Sequence, residues 1–364
     1  MRILILWFLV LSAAFANGQQ VTIGVLGLFH PQRFVIRAVE GEAVVLRVAT
    51  KDYVLETSSG NGEAAIEMSQ ATLEVKIGAR SVQAPNVTVS DRSGGGCQFL
   101  LAVPGKITRR YDGVLSVRPF AGSLLAEIHM DLETAVASVV AAENGADVPL
   151  EAAKAQAIAA RSFLVAGHGR HKEFDFCDST HCQFLREPPI PSSVAAHATA
   201  LTNGLILTYR KQPVAAMYSR SCGGRTRTPQ QLGLPAEDYP YHSVDCVYCR
   251  NHPERWQARV APKDAELLRQ SREVSRLELG RRLGWNTVPS TNVTLINEGN
   301  KVLVTGIGRG HGIGLCQIGA KAMAEQGSGA LEILAHYYPD TGVQSLRDVE
   351  KVLPYLEAAQ HSAD

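Results

Sequence analysis

The stretch LETAVASVVAAENGADVPLEAAKAQAIAARSF, residues 132–163, decides how the rest of the chain is read. Val136, Val139 and Val140 recur at helical spacing, and Asp131 just ahead of them is a good N-cap. Asn144-Gly145 then reads as a stop signal. A second helix is expected almost at once, capped by Asp147, with Pro149 in its first turn and its end at Gly167. Its run of alanines lets another element approach closely.

N-terminal to this pair the pattern is that of strands. VTIGVLGL (21–28), RFVIRAV (33–39), AVVLRVA (43–49), AAIEMS (64–69), ATLEVKI (71–77) and VLSVRPF (114–120) are short β-rich runs. Gly, Asn, Ser and Asp punctuate them, and SDRSGGG (90–96) is a loop. At the extreme N-terminus, Arg2 precedes an apolar run from Ile3 to Ala14. Ala14-Phe15-Ala16 fits the small-x-small pattern of a signal-peptidase site. The run is short for a membrane span, so a cleaved leader and an exported protein are expected, with an uncleaved anchor as the alternative. C-terminal to the pair come a loop rich in His, Cys and Pro (167–193), a helix, the strand LILTYR and the turn SCGGRT. A helix-rich stretch (263–284), the strands VTLIN and KVLVTGIG, and a last clear helix near 315–326 follow. The chain beyond about 350 reads as a trailing helix and tail.

The formal net charge of +1 over 364 residues, with 45% hydrophobic residues, is ordinary for a globular protein. It offers no basic excess for nucleic acid. The turn GIGRGHGIG (306–314) lacks the spacing of a dinucleotide fingerprint and the Lys-Ser/Thr of a P-loop, which argues against a nucleotide.

Glu143 is the candidate catalytic carboxylate. It ends a helix, where the macrodipole disfavours negative charge, and follows apolar neighbours. With partial burial, both effects favour the neutral acid that a general acid needs. Taken alone, an exposed helix-end glutamate is the commoner outcome. Lys154 and Arg161, seven residues apart, share a helix face with Gln156 nearby. These residues suit substrate carboxylates or sugar hydroxyls, or else form a solvated face. His311 projects from the glycine-rich turn, and Gln317 lies one turn into the helix after it. Ser221, Gly223 and Gly224 form a second tight turn, where glycine lets backbone approach a ligand.

His171, Cys177, His181 and Cys182 supply a complete tetrahedral zinc set within twelve residues. Export would favour a Cys177–Cys182 disulfide instead. The ligand count favours metal, and a full set implies a closed, structural site. Cys222, with Cys246-x2-Cys249 and His252 downstream, reads as a second metal site or a disulfide, and spacing does not separate the two. Seven cysteines leave at least one thiol free or metal-bound.

Together, RRYDGVLSV (109–117), the helix pair, CDSTHCQF (177–184), TNGLILTYRKQPVAAMYSRSCGGRT (202–226), GRGHGIGLCQIGAKAMAEQG (308–327) and EILAHYYPDTG (332–342) resemble the SpoIID/LytB family. The resemblance runs from about 109 to 342, and more weakly through the strand-rich first part. It implies an α+β fold: a leader (1–16), a β-rich region (17–108), a mixed helix/strand catalytic domain with a substrate groove (109–342) and a tail (343–364). It also implies a lytic transglycosylase that cuts peptidoglycan between N-acetylmuramic acid and N-acetylglucosamine, with its catalytic Glu at Glu143. In some members two His and two Cys after the motif helix bind zinc, which adds weight to His171, Cys177, His181 and Cys182. Cys316 stands where many members have Ser, so a hydroxyl role there is in doubt.

One carboxylate suffices for that chemistry. Ordinary glycosidases use two, one of them to activate water or attack the sugar. In a lytic transglycosylase the muramic acid's own 6-hydroxyl attacks and a 1,6-anhydro sugar forms. The alternatives are a peptidoglycan-binding enhancer of a cell-wall amidase, as the LytB name implies, and a zinc hydrolase, which would need an open metal position. His311 and Gln317 are expected to face Glu143 across one groove.

Overall fold

The structure is a computed structural model, and it describes residues 19–349 except 60–61, 146, 168–169, 235–238 and 270–271. The leader expected at 1–16 and the trailing helix expected beyond 350 lie outside the described residues.

Eleven strands precede the first α-helix, and helices alternate with shorter strands after it, an α+β arrangement. The first half builds a curled, almost wholly antiparallel sheet of twelve strands. From one edge, the short strand Phe176–Cys177 runs parallel to Gln20–Val25, which pairs with Ser123–Asp131, then come Ile107–Phe120, Cys97–Val103, Arg33–Ala38, Glu63–Ser69, Thr72–Ile77 and Arg80–Ala84. Alternation sets the register. In Ser123–Asp131, Leu124, Ala126, Ile128 and Met130 point inward and their neighbours outward.

Besides Ser123–Asp131, the strand Ile107–Phe120 serves two partners. Its first half pairs with Cys97–Val103, and its second half pairs with Val87–Ser90, which carries the hairpin Ala43–Val48/Lys51–Glu56. Gly113 stands at the changeover with φ of 148°, where a Cβ would lie 2.5 Å from the His129 carbonyl oxygen. Only glycine fits there. Position 108 therefore falls inside a strand, and the sheet continues without a break to the first helix.

That helix, α1 (Leu132–Glu143), is capped by Asp131, whose carboxylate accepts the Thr134 N–H at 3.0 Å. Leu132, Ala135, Val136, Val139 and Val140 pack on the sheet in one continuous core. The second helix, α2 (Leu150–Ala166), starts at Pro149 without a side-chain cap, so Asp147 does not cap it. Pro149 is extended, and this sets the start of the helix two residues later than Asp147 would. Gly167 ends it, donating its N–H to the Phe163 carbonyl. Seven alanines make α2 thin enough to be wrapped. It is buried along almost its whole length by α1, by α3 (Val194–Leu201), by the strand Leu205–Tyr209, and by two helices at 317–325 and 330–337.

Beyond the short helix α4 (Val247–Asn251), a small module stands apart with its own core. It consists of three antiparallel strands, Arg255–Val260, Lys301–Ile307 and Val293–Glu298, with α5 (Pro262–Arg269) and α6 (Glu273–Leu283). The chain then returns to pack α7 (Gln317–Glu325) and α8 (Ala330–Tyr337) on α2. The sequence reading ended with α7. The second helix follows at once, because Gly327 breaks the chain and Gly329 restarts it with Glu332 bonded back to the Gly329 N–H at 2.9 Å. Among the described residues no helix is long and apolar enough to cross a membrane.

Candidate active site

Glu143 is the last residue of α1 and lies in a cavity of about 500 Å³. Burial raises its pKa to about 6, against two hydrogen bonds that favour the charged form. One is the backbone N–H of Phe184, which donates to Oε1 at 3.0 Å. The other comes from the side chain of Gln317 at the start of α7. The carboxyl is thus held by fixed donors in a place dry enough to stay protonated to near-neutral pH.

His311 and Gln317 line the same cavity as Glu143. Burial depresses the His311 pKa to about 4, so the ring is neutral at pH 7. Its Nδ1 accepts the Ile313 N–H at 3.0 Å, and it also hydrogen-bonds the backbone of Tyr218. Tyr218 is a site residue that the sequence reading passed over inside AMYS. Burial first, and the Glu143 charge next, push its hydroxyl well above the usual tyrosine range.

Six of the expected substrate contacts are absent from the cavity lining. Arg161 is 0% exposed and forms a double-pronged ion pair with Glu133, at 2.7 Å and 2.6 Å. It also bonds the Leu205 carbonyl at 3.0 Å. Its role is to pin α2 to α1 and to the following strand. Lys154 pairs with Glu151 one turn back, at 2.8 Å, away from the cavity. Ser221, Gly223 and Gly224 turn the other way. Ser221 Oγ lies 3.8 Å from Cys249 Sγ, and the two glycines pack on Ile307 and Arg250. Gln156 is buried behind the site, its Oε1 accepting from Gln317 Nε2 at 3.5 Å, so it supports a lining residue and does not itself line the cavity.

Other residues supply the polar and aromatic lining. Arg170 lies over the Phe163 ring at 5.1 Å, and Arg220 follows directly after the short strand Tyr218–Ser219. Neither has a carboxylate partner among the described residues. Phe184 contributes an aromatic face. The small module contributes Trp285, 39% exposed, with Glu273 and Arg276 joined by an ion pair at 2.8 Å. No feature of 263–284 in the sequence announced that this helix-rich stretch would form a wall of the cavity.

The cavity also touches the His/Cys loop. His171, Cys177, His181 and Cys182 are all half-buried, and one donor atom from each lies within 4.8 Å of the others. His171 Nε2 is 3.3 Å from Cys182 Sγ, and His181 Nδ1 is 3.5 Å from the same sulfur. Hydrogen bonding from Cys182 draws the Cys177 thiol far below its usual range, while Cys182 is pushed up. This donor set fits a tetrahedral ion. Asp178, inside the loop, accepts from buried Arg109 at 2.8 Å and from the Leu26 N–H at 3.1 Å, which ties the loop to the sheet.

The stage II sporulation protein family, SpoIID, has a family model that matches residues 121–209, the segment holding α1, α2, Glu143 and all four His/Cys donors. Over that segment this chain is similar to the SpoIID family. Stage II sporulation protein D of Bacillus subtilis is 25% identical over 260 residues, covering 59% of this chain and 75% of that protein. An uncharacterized protein of Brachyspira hyodysenteriae is 25% identical over 273 residues, 66% of this chain and 74% of its own length. The amidase enhancer of Bacillus subtilis is 44% identical, but over 68 residues, 19% of this chain and 10% of that protein. In this SpoIID-like chain the SpoIID match therefore coincides with the helix pair and the loop that meet at Glu143.

Proposed function

We propose that this protein is an exported lytic transglycosylase of peptidoglycan, with Glu143 as its single acid and base. SpoIID and amidase-enhancer relatives support a cell-wall role. The observation that carries the finer reading is the state of the carboxylates. Among the described cavity-lining residues only Glu143 and Glu273 are acidic, and Glu273 is locked onto Arg276. A two-carboxylate glycosidase mechanism has no second free acid to use.

Glu143, protonated below about pH 6, donates its proton to the glycosidic oxygen as the bond to the muramic acid C1 breaks. The carboxylate left behind takes the proton of the 6-hydroxyl as that oxygen attacks C1, which closes the 1,6-anhydro ring. Phe184 N–H and Gln317 hold the carboxylate in its charged half-cycle. Tyr218, Phe184 and Trp285 offer faces for sugar rings, and Arg170 and Arg220 suit the lactyl or peptide carboxylates of the strand.

His171, Cys177, His181 and Cys182 would hold a zinc ion whose part is structural, with no open position for a water. Cys182 stands two residues before Phe184, so an ordered loop presents the N–H that Glu143 accepts.

Mass spectrometry of purified peptidoglycan after digestion tests the reading. Anhydro-muropeptides are expected. Reducing muramic ends, or no release of fragments, would overturn it. The short, strong similarity to an amidase enhancer favours a second reading, in which the cavity grips glycan for a partner amidase. Stimulation of an amidase by a chain carrying Glu143→Gln would support that alternative.

A further inference from the structure

The mechanism leaves a second cysteine cluster unused. Cys222, Cys246, Cys249 and Cys316 come from three separate stretches and are all buried, and their sulfurs lie within 4.8 Å of one another. Cys249 Sγ is 3.4 Å from Cys316 Sγ. His252, which the sequence grouped with them, is outside, exposed and stacked on Tyr248 at 4.6 Å. Cys316, read in the sequence as a replaced serine, is the fourth member.

We propose that these four cysteines hold a second metal ion, a zinc in a closed tetrathiolate site. Zinc–sulfur bonds of about 2.3 Å place four tetrahedral thiolates roughly 3.8 Å apart, close to the spacing found. Two disulfides would instead draw the sulfurs into pairs about 2 Å apart. A multinuclear iron–sulfur cluster would need irons and sulfides inside the sulfur shell, and sulfurs this close leave no room for them.

The surroundings suit thiolates. The Cys222 N–H points at Cys316 Sγ at 3.4 Å, and Tyr337 Oη donates to Cys246 Sγ at 3.4 Å. Room for the site is made by Gly319, where a Cβ would stand 2.6 Å from Cys246 Sγ and 2.1 Å from Tyr337 Oη.

The ion would join the wall of the cavity opposite α1. Cys316 immediately precedes Gln317. The residue before Cys222, Ser221, exchanges both backbone hydrogen bonds with Arg309, at 3.1 Å and 2.9 Å. One ion thus anchors the start of α7 and the turn that carries His311. The metal itself is independent of the proposed reaction, and only the value of that anchoring rests on it.

The test is metal analysis of the full chain purified without chelator. About two zinc per chain are expected, falling to about one in Cys249→Ser and about one in Cys177→Ser. Should Cys249→Ser fail to fold, the Cys177→Ser chain reloaded with cobalt isolates the site, and the visible bands of a tetrahedral cobalt tetrathiolate are expected. Amide exchange across 308–317 should quicken in Cys249→Ser. A Cys177→Ser chain without metal, a mapped disulfide between any two of the four, or unchanged exchange would overturn the proposal. None of these measurements uses glycan cleavage, so their failure leaves the reading of Glu143 standing, and the converse holds as well.

Discussion

The backbone N–H of Phe184 donates to Glu143 Oε1 at 3.0 Å, across the gap between the end of α1 and the loop that follows α2. This bond joins the acid to the His/Cys loop, since Cys182 is two residues away. Gln317 reaches the same carboxylate from α7, one residue after Cys316. Each donor to Glu143 therefore leaves a cysteine cluster within two residues. The candidate acid is held by two clusters that lie on separate parts of the chain and have no role in proton transfer themselves.

Glu143→Gln keeps the shape of the side chain and removes the proton. Release of anhydro-muropeptides should fall by at least about a hundredfold, the lower end of general-acid contributions. Circular dichroism should show an unchanged fold. A folded variant with activity retained takes Glu143 out of the mechanism.

The same residue sets a pH dependence. Its pKa is about 6 in the folded protein, above an ordinary carboxyl, so activity that needs the protonated acid should decline as pH rises through 6. Stability follows the same sense. The folded state holds this proton more tightly, so the contribution is present below the unfolded pKa and lost as pH climbs past about 6. His311 acts oppositely. With a folded pKa near 4 it costs stability as pH drops from the usual histidine range toward 4. Melting curves of wild type and Glu143→Gln should therefore converge below the unfolded pKa, separate as pH rises toward about 6 and stay apart above it, with the variant the more stable there.

Arg161 was offered to the substrate because spacing puts it on one face of α2 with Lys154. Spacing reveals which residues share a face but not what covers it, and here Glu133 of α1 does. Arg161→Ala should leave that carboxylate without its partner in a packed helix interface, at a cost of about 3 kcal/mol. Denaturant unfolding measures this. Cleavage per folded molecule should stay within a factor of a few.

How far the sequence could be read depended on how local each signal was. The helix pair, the strand runs and the four donors from His171 to Cys182 are compact, and each sits within a stretch short enough to see. Glu143 was visible because a helix end and apolar neighbours lie in the same few residues. Cys222, Cys249 and Cys316 are spread over almost a hundred positions, so their convergence is a property of the fold. The contribution of Trp285 is likewise invisible beforehand, since α6 reaches the cavity only because the small module packs as a unit. Tyr218 was missed for a simpler reason: its short strand is made by pairing with Leu315-Cys316, far along the chain.

Arg220, not Arg161, lines the cavity, so we propose Arg220 for the substrate carboxylate. It stands at the cavity without a carboxylate partner among the described residues. A charge-assisted bond to a substrate carboxylate is worth about 1.5 kcal/mol or more. Arg220→Ala should therefore raise KM about tenfold and leave kcat nearly constant, with little change in melting temperature. An equal loss in both parameters would place Arg220 in the reacting geometry instead.

Cys182→Ser tests the link between the loop and the acid. The change removes one donor from the His/Cys set, so zinc content should fall by about one equivalent and melting temperature should drop. A loosened loop also presents the Phe184 N–H less firmly. That bond stabilises the ionised carboxylate, so weakening it leaves burial less opposed and moves the Glu143 pKa further up. The falling limb of the pH–rate profile should then shift to higher pH than in wild type, while maximal activity decreases because the acid is less well placed. Gln317→Ala removes the other donor and should move the limb in the same direction with no loss of zinc. A Cys182→Ser chain that loses its metal but keeps the wild-type pH profile would show that the loop does not tune Glu143, and that its contribution is to stability alone.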